Sequence, residues 1–216
     1  MSGPIQVLAD DFFLVSWDTT GSGKPRLHVQ GVALGLAGAL IGELVLRRRV
    51  AVRGVRLDMV DSRRVQENVA DKVLSDIGNS PHHTDVRTWL SYLAQRSVEE
   101  VSGRLMSAGL LERETPKLLK RKQSRYFSTD FSHAIWPLTR LRLALAQRRP
   151  LAPQDMALAT LMDACDLTDT VLDDPDGRRA AHRYLATMLA TMPQPLSDLS
   201  RQVNAAVGDA VLTYRT

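Results

Sequence analysis

A single cysteine, Cys165, occurs in the 216 residues, so no disulfide can close within the chain, which fits a reducing compartment. No secretory leader is expected either. The opening MSGPIQVLADD has no basic stretch and turns acidic where an apolar segment should lie, which argues for a cytoplasmic chain. Long hydrophobic runs are absent too. The longest, Gly31 to Leu46, has sixteen residues with Glu43 among them, short of the ~20 that a membrane crossing needs. It is expected to be a buried core helix.

Catalytic constellations are equally scarce. No Ser-centred elbow, Cys–His pairing or HExxH spacing occurs, so the chain is expected to be no enzyme and to carry no cofactor and no metal. The GSGK of Gly21 to Lys24 invites a phosphate-loop assignment, but such a loop needs glycine where Asp18 stands and Ser or Thr where Pro25 stands. His82 and His83 are adjacent and have no Cys or carboxylate cluster to complete a metal site. Asp166, Asp169 and Asp173 would share one helix face, fit either to collect a cation or simply to be solvated, and the nearby DDPDG lacks the ligand spacing of a calcium loop.

What the sequence does hold is the balance of a folded domain: 44% hydrophobic and 24% charged residues. At this length a single domain, residues 1–216, buries roughly 70% of its unfolded surface. Lys and Arg number 28 against 24 Asp and Glu, giving a net charge of +4 and pointing to an anionic partner. The fold class expected is mainly α, a compact helical bundle with short β-hairpins, one of them long, basic and protruding. Arg47, Arg48 and Arg49 close the apolar helix, where its dipole favours cations. Residues 49 to 60 alternate as a short hairpin about Gly54. Helical period returns from Gln66 to Ile77, with Gly78 and Asn79 as the stop. Ser97 to Glu100 reads as a capping box opening a helix that Gly109 ends. Four helices follow from Trp136, one of them covering 155 to 174.

The strongest feature lies between these helical stretches. Leu110 to Asp130 reads as a long hairpin whose tip carries Lys117, Lys120, Arg121, Lys122 and Arg125, five cations in nine positions, with Leu118 and Leu119 beside them. Near an anionic leaflet each cation contributes on the order of 1 kcal/mol, and the leucines could insert at shallow depth. A helix followed by a basic hairpin is also the layout of a winged-helix nucleic-acid binder. That alternative is disfavoured because Val98 to Ala108 offers only Arg104 outward, beside Glu99 and Glu100.

Four stretches in order, GLAGALIGELVLRRRV (Gly35 to Val50), VEEVSGRLMSAGLLERE, MALATLMDACDLTDTVL and VNAAVGDAVLTY, resemble the Golgi phosphoprotein 3 family over about residues 8–214. The Ala- and Arg-rich composition is similar to that of a bacterial member. The resemblance implies a mostly helical fold and a peripheral membrane protein recognising phosphatidylinositol 4-phosphate, at the inner membrane surface here. Eukaryotic members also act as adaptors for protein cargo, and self-association through the hairpin stays open. The family's headgroup site uses a Trp and three Arg, and the matching positions here are His28, Ala37, Gln95 and Val98. Losing three guanidinium groups removes bidentate contacts to a phosphomonoester. Arg26, His28 and Arg96 are the residues left to form a weaker anion pocket.

Overall fold

A helix that is apolar on every face must be covered on every face, and the Gly31 to Leu46 run sets the architecture by that requirement. The computed structural model describes residues 7–114, 124–170 and 175–213. Lys117, Leu118, Leu119, Lys120, Arg121 and Lys122 of the hairpin, with Asp173 and Asp174, lie outside the described residues. In chain order the elements are helices α1 (Leu8–Ser16) and α2 (Val29–Leu46), strands β1 (Val50–Arg53) and β2 (Arg56–Met59), helices α3 (Asn68–Asn79), α4 (Val86–Ala94) and α5 (Ser97–Ser107), strands β3 (Leu111–Glu114) and β4 (Arg125–Ser128), and helices α6 (Phe131–Ala146), α7 (Pro153–Ala164), α8 (Pro175–Ala190) and α9 (Gln194–Thr213). The fold is a helical assembly with two separate antiparallel hairpins, β1–β2 and β3–β4.

Helix α2 is the centre, packed by α1, α4, α7 and α9. Its 18 residues are apolar enough to cross a bilayer by length and hydropathy alone, yet 78% of them are buried in the protein. Close packing depends on a stripe of glycines at spacings of three and four, which share a helix face. A Cβ added at Gly35 would lie 2.3 Å from the Phe12 ring, and one at Gly38 would lie 2.5 Å from Val203. Without side chains there, α1 and α9 approach the α2 backbone directly.

Glu43, inside this apolar helix, has a definite task. Helix α1 begins without a side-chain cap of its own, and the Ala9 N–H donates to Glu43 Oε1 at 2.8 Å. The carboxylate thus satisfies one of the orphan amides at the start of α1. Arg104 of α5 closes the same site, with its guanidinium 2.7 Å from Asp10, 2.8 Å from Glu67 and 3.8 Å from Glu43. A parallel arrangement on the other side of α1 sets Arg140 of α6 3.0 Å from Asp11 and 2.5 Å from Asp155.

Several sequence expectations need correction. Helix α1 is not legible in the sequence, because nearly all of it is buried and it shows no polar face from which a period could be read. The capping box is not formed: Arg96 occupies the N-cap, and the Ser97 hydroxyl donates instead to the Ala33 carbonyl at 2.9 Å, tying α5 to α2. Helix α3 runs on through Gly78 and Asn79. The helix expected over 155 to 174 ends at Ala164, because Asp166 adopts a left-handed φ of 57° and a 3₁₀ turn follows at Thr168–Thr170. Asp166 and Asp169 therefore do not share a face of one helix. Gly109 does end α5, with a φ of 72°.

Candidate lipid-facing surface

The described part of the basic hairpin is rooted in the core by Leu111 of β3 and Tyr126 of β4. Tyr126 of β4 is buried and meets the stacked rings of Phe13 and Trp17 edge-on, with centroids 5.4 and 5.1 Å away. Edge-to-face contact of this kind adds about 0.5–1.5 kcal/mol to simple burial. On the opposite strand, Arg113 donates to Glu99 at 2.8 Å and to Ser124 at 3.0 Å, strapping the hairpin to α5. Arg113 is thereby held in internal contacts.

The GSGK segment has a structural role beside this root. Asp18 accepts the Ser22 N–H at 2.7 Å, closing a tight turn, and that hydrogen bond holds its carboxyl below the usual range. The Gly23 carbonyl accepts from both the Trp17 indole N–H at 2.8 Å and the Tyr126 N–H at 3.0 Å. Gly23 has a φ of 68°, and a Cβ there would sit 2.6 Å from the Phe127 ring. Only glycine fits both conditions. A second backbone bond, Ser128 N–H to the Thr19 carbonyl at 3.0 Å, completes the alignment of residues 18–26 along the free edge of β4.

This alignment gathers cations that are far apart in sequence. Arg125 is exposed on β4, and the turn brings the exposed Lys24 to the same strand. Arg26 lies at the end of the turn, 3.2 Å from Asp18 and so partly neutralised. His28 is exposed and caps α2, its Nδ1 accepting the Gln30 N–H at 3.3 Å. Arg96, at the α4–α5 corner, is turned toward α3. It pairs with Asp76, lies 3.4 Å from Glu100, and stacks 4.8 Å from the centroid of the Tyr92 ring. Of the other matched positions, Gln95 is exposed and Ala37 is fully buried.

Arg104 does not face outward as the sequence suggests. Three carboxylates from α1, α2 and the start of α3 draw it into the interior, and burial in turn pushes Asp10 to about 6 and Glu43 to about 7. Helix α5 thus presents no outward arginine on the face a recognition helix would use. Cys165 is buried, and burial pushes its thiol up to about 12, so it is inert. Among the described residues no group of three or more His, Cys, Asp or Glu is arranged to hold a metal.

Two features were missed at the level of sequence. One is a cleft of about 310 Å³ between α3 and α4, walled by Asp76, Asn79, His83, Trp89 and Tyr92. The other is the outer side of α6, where Phe131, Trp136 and Leu143 are exposed. No local signal in the sequence singles out Trp136, since only the fold separates it from the buried Trp17 and Trp89.

Among curated proteins nothing matches the chain, but the sequence model described as Golgi phosphoprotein 3 covers residues 8–211. The match begins at α1 and runs into α9, so it spans the glycine-striped core helix, both hairpins and the C-terminal helices together. The chain belongs to the Golgi phosphoprotein 3 family.

Proposed function

We propose that this chain is a peripheral membrane protein, not an enzyme, that docks on an anionic phospholipid surface of the cytoplasmic leaflet through the β3–β4 hairpin and the turn laid beside it. The supporting observation is the backbone alignment of residues 18–26 with β4, in which Gly23, next to Lys24, accepts from Tyr126, next to Arg125, on the hairpin whose sequence also carries Lys117, Lys120, Arg121 and Lys122. Clustered cations sum their attraction to a negative leaflet and are screened by salt. Phosphoinositides are the family's lipid. Here the attraction rests on charge density, because His28, Ala37, Gln95 and Val98 supply no guanidinium and Arg96 is already paired within the protein. An adaptor role toward a protein cargo is compatible with the same docking.

Sedimentation with neutral, generally anionic and phosphoinositide-containing vesicles, each at low and high salt, tests this. Binding should require negative lipid and fall with salt, and Lys120→Glu with Lys122→Glu should abolish it. Equal pelleting on neutral vesicles, or unchanged binding by the double variant, would overturn the assignment. A salt-sensitive duplex gel shift in place of vesicle binding would favour the winged-helix alternative.

A further inference from the structure

Helix α6 buries one side against α1 and α8, through Ala134, Pro137, Leu141 and Leu145. The other side is apolar as well. Trp136 and Leu143, seven residues apart and so on one face, are 51% and 46% exposed, and Phe131 at the start of the helix is 65% exposed. The exposed polar residues between them are the small Ser132 and Thr139 and the cation Arg142. A helix side that faces water ordinarily carries charges of both signs. From Phe131 to Arg149 there is no Asp or Glu, and the helix runs directly into the exposed Arg148 and Arg149.

We infer that the outer face of α6 is a second contact with the same anionic membrane, lying in the plane of the interface with Trp136 and Leu143 inserted among the acyl chains, Phe131 entering at the rim of that face, and Arg148 and Arg149 at the headgroups. The inference rests on the lipid-docking reading and adds to it an insertion element that the cationic hairpin alone does not supply. Charge complementarity selects this occupant. A helix that is apolar, aromatic and basic without any carboxylate matches a negatively charged bilayer surface, where Trp and Phe settle at the headgroup boundary. Continuity supports it too, because only Thr129 and Asp130 separate β4 from α6, so the face begins where the proposed docking hairpin ends.

The three tryptophans make the test direct. Trp17 and Trp89 are 1% and 4% exposed while Trp136 is half exposed, so Trp136 reports on the environment of this face. The full chain is titrated with vesicles of equimolar phosphatidylglycerol and phosphatidylcholine, and with phosphatidylcholine alone. Anionic vesicles should shift the emission to the blue and protect it from acrylamide, and lipids brominated on the acyl chain should quench it. Trp136→Phe should lose the shift yet still pellet. Replacing Phe131, Trp136 and Leu143 together by serine should weaken vesicle binding by about tenfold, with circular dichroism confirming the fold. Pelleting without a shift or quenching sinks the α6 contact and leaves hairpin docking intact. Failure of the wild type to pellet sinks the docking itself. A blue shift that grows with protein concentration in the absence of lipid assigns this face to a second copy of the chain and overturns the inference.

Discussion

Helices α2 and α6 are both rich in apolar residues, yet fourteen of the 18 residues of α2 are buried against four of the 16 in α6. Hydropathy would nominate α2 for the bilayer. Burial nominates α6. The difference shows that an apolar sequence is open to contact only where the fold leaves it uncovered, and that α2 is covered because its glycines admit the neighbouring helices.

The comparison can be tested first through the charges that fasten α2. Arg104→Met leaves Asp10, Glu43 and Glu67 without their shared cation, and breaking such a buried set costs about 3–5 kcal/mol. Urea unfolding at pH 8 should show this loss, and a smaller one at pH 5, where Asp10 and Glu43 take up protons. Trp136→Ser on α6 should cost less than about 1 kcal/mol in the same assay. Equal losses would mean that the α6 surface is as structural as the α2 interior, and the contrast would fail.

An intermediate effect is expected on the glycine stripe. Gly35→Ala places a methyl 2.3 Å from the Phe12 ring and 2.9 Å from the Cys165 sulfur. Overpacking of this kind costs about 1–3 kcal/mol, more than the ~1 kcal/mol that alanine gains over glycine in a helix. A variant with an unchanged melting temperature would show that α2 has room to spare.

A further effect concerns pH. Burial raises Glu43 from its ordinary 4.5 to about 7 and Asp10 from 3.8 to about 6. The folded state therefore binds protons more tightly than the unfolded chain. Stability from these two groups is full below about pH 4 and declines as pH rises toward 7. Glu43→Gln keeps an oxygen for the Ala9 N–H and removes one titrating group, so the fall between pH 5 and 7 should flatten by on the order of 1 kcal/mol. A profile identical to wild type would place the titration elsewhere.

Local signals in the sequence carried much of this architecture. Alternation about Gly54 gave the β1–β2 hairpin, Gly109 gave the end of α5, and the unbroken apolar run gave α2 as a core helix. What was hidden depends on partners distant in the chain. Arg104 looks outward until Asp10, Glu43 and Glu67 are brought to it from as many as 94 residues away. The pairing of residues 18–26 with β4 spans some hundred positions, so GSGK could be rejected as a phosphate loop but not recognised as a strand-edge turn. The break at Asp166 has no Gly or Pro to announce it, because aspartate tolerates the left-handed conformation.

Helix α1 is held at three successive residues by groups that come later in the chain: Ala9 by Glu43, Asp10 by Arg104 and Asp11 by Arg140. Helix α1 is synthesised before all of these groups, and its clamps are incomplete until α7, whose Gln154 also donates to Asp11 at 3.3 Å, has left the ribosome. A segment translated before its partners is thus fixed only after them, and completion of the bundle waits on a latch that closes from the C-terminal half.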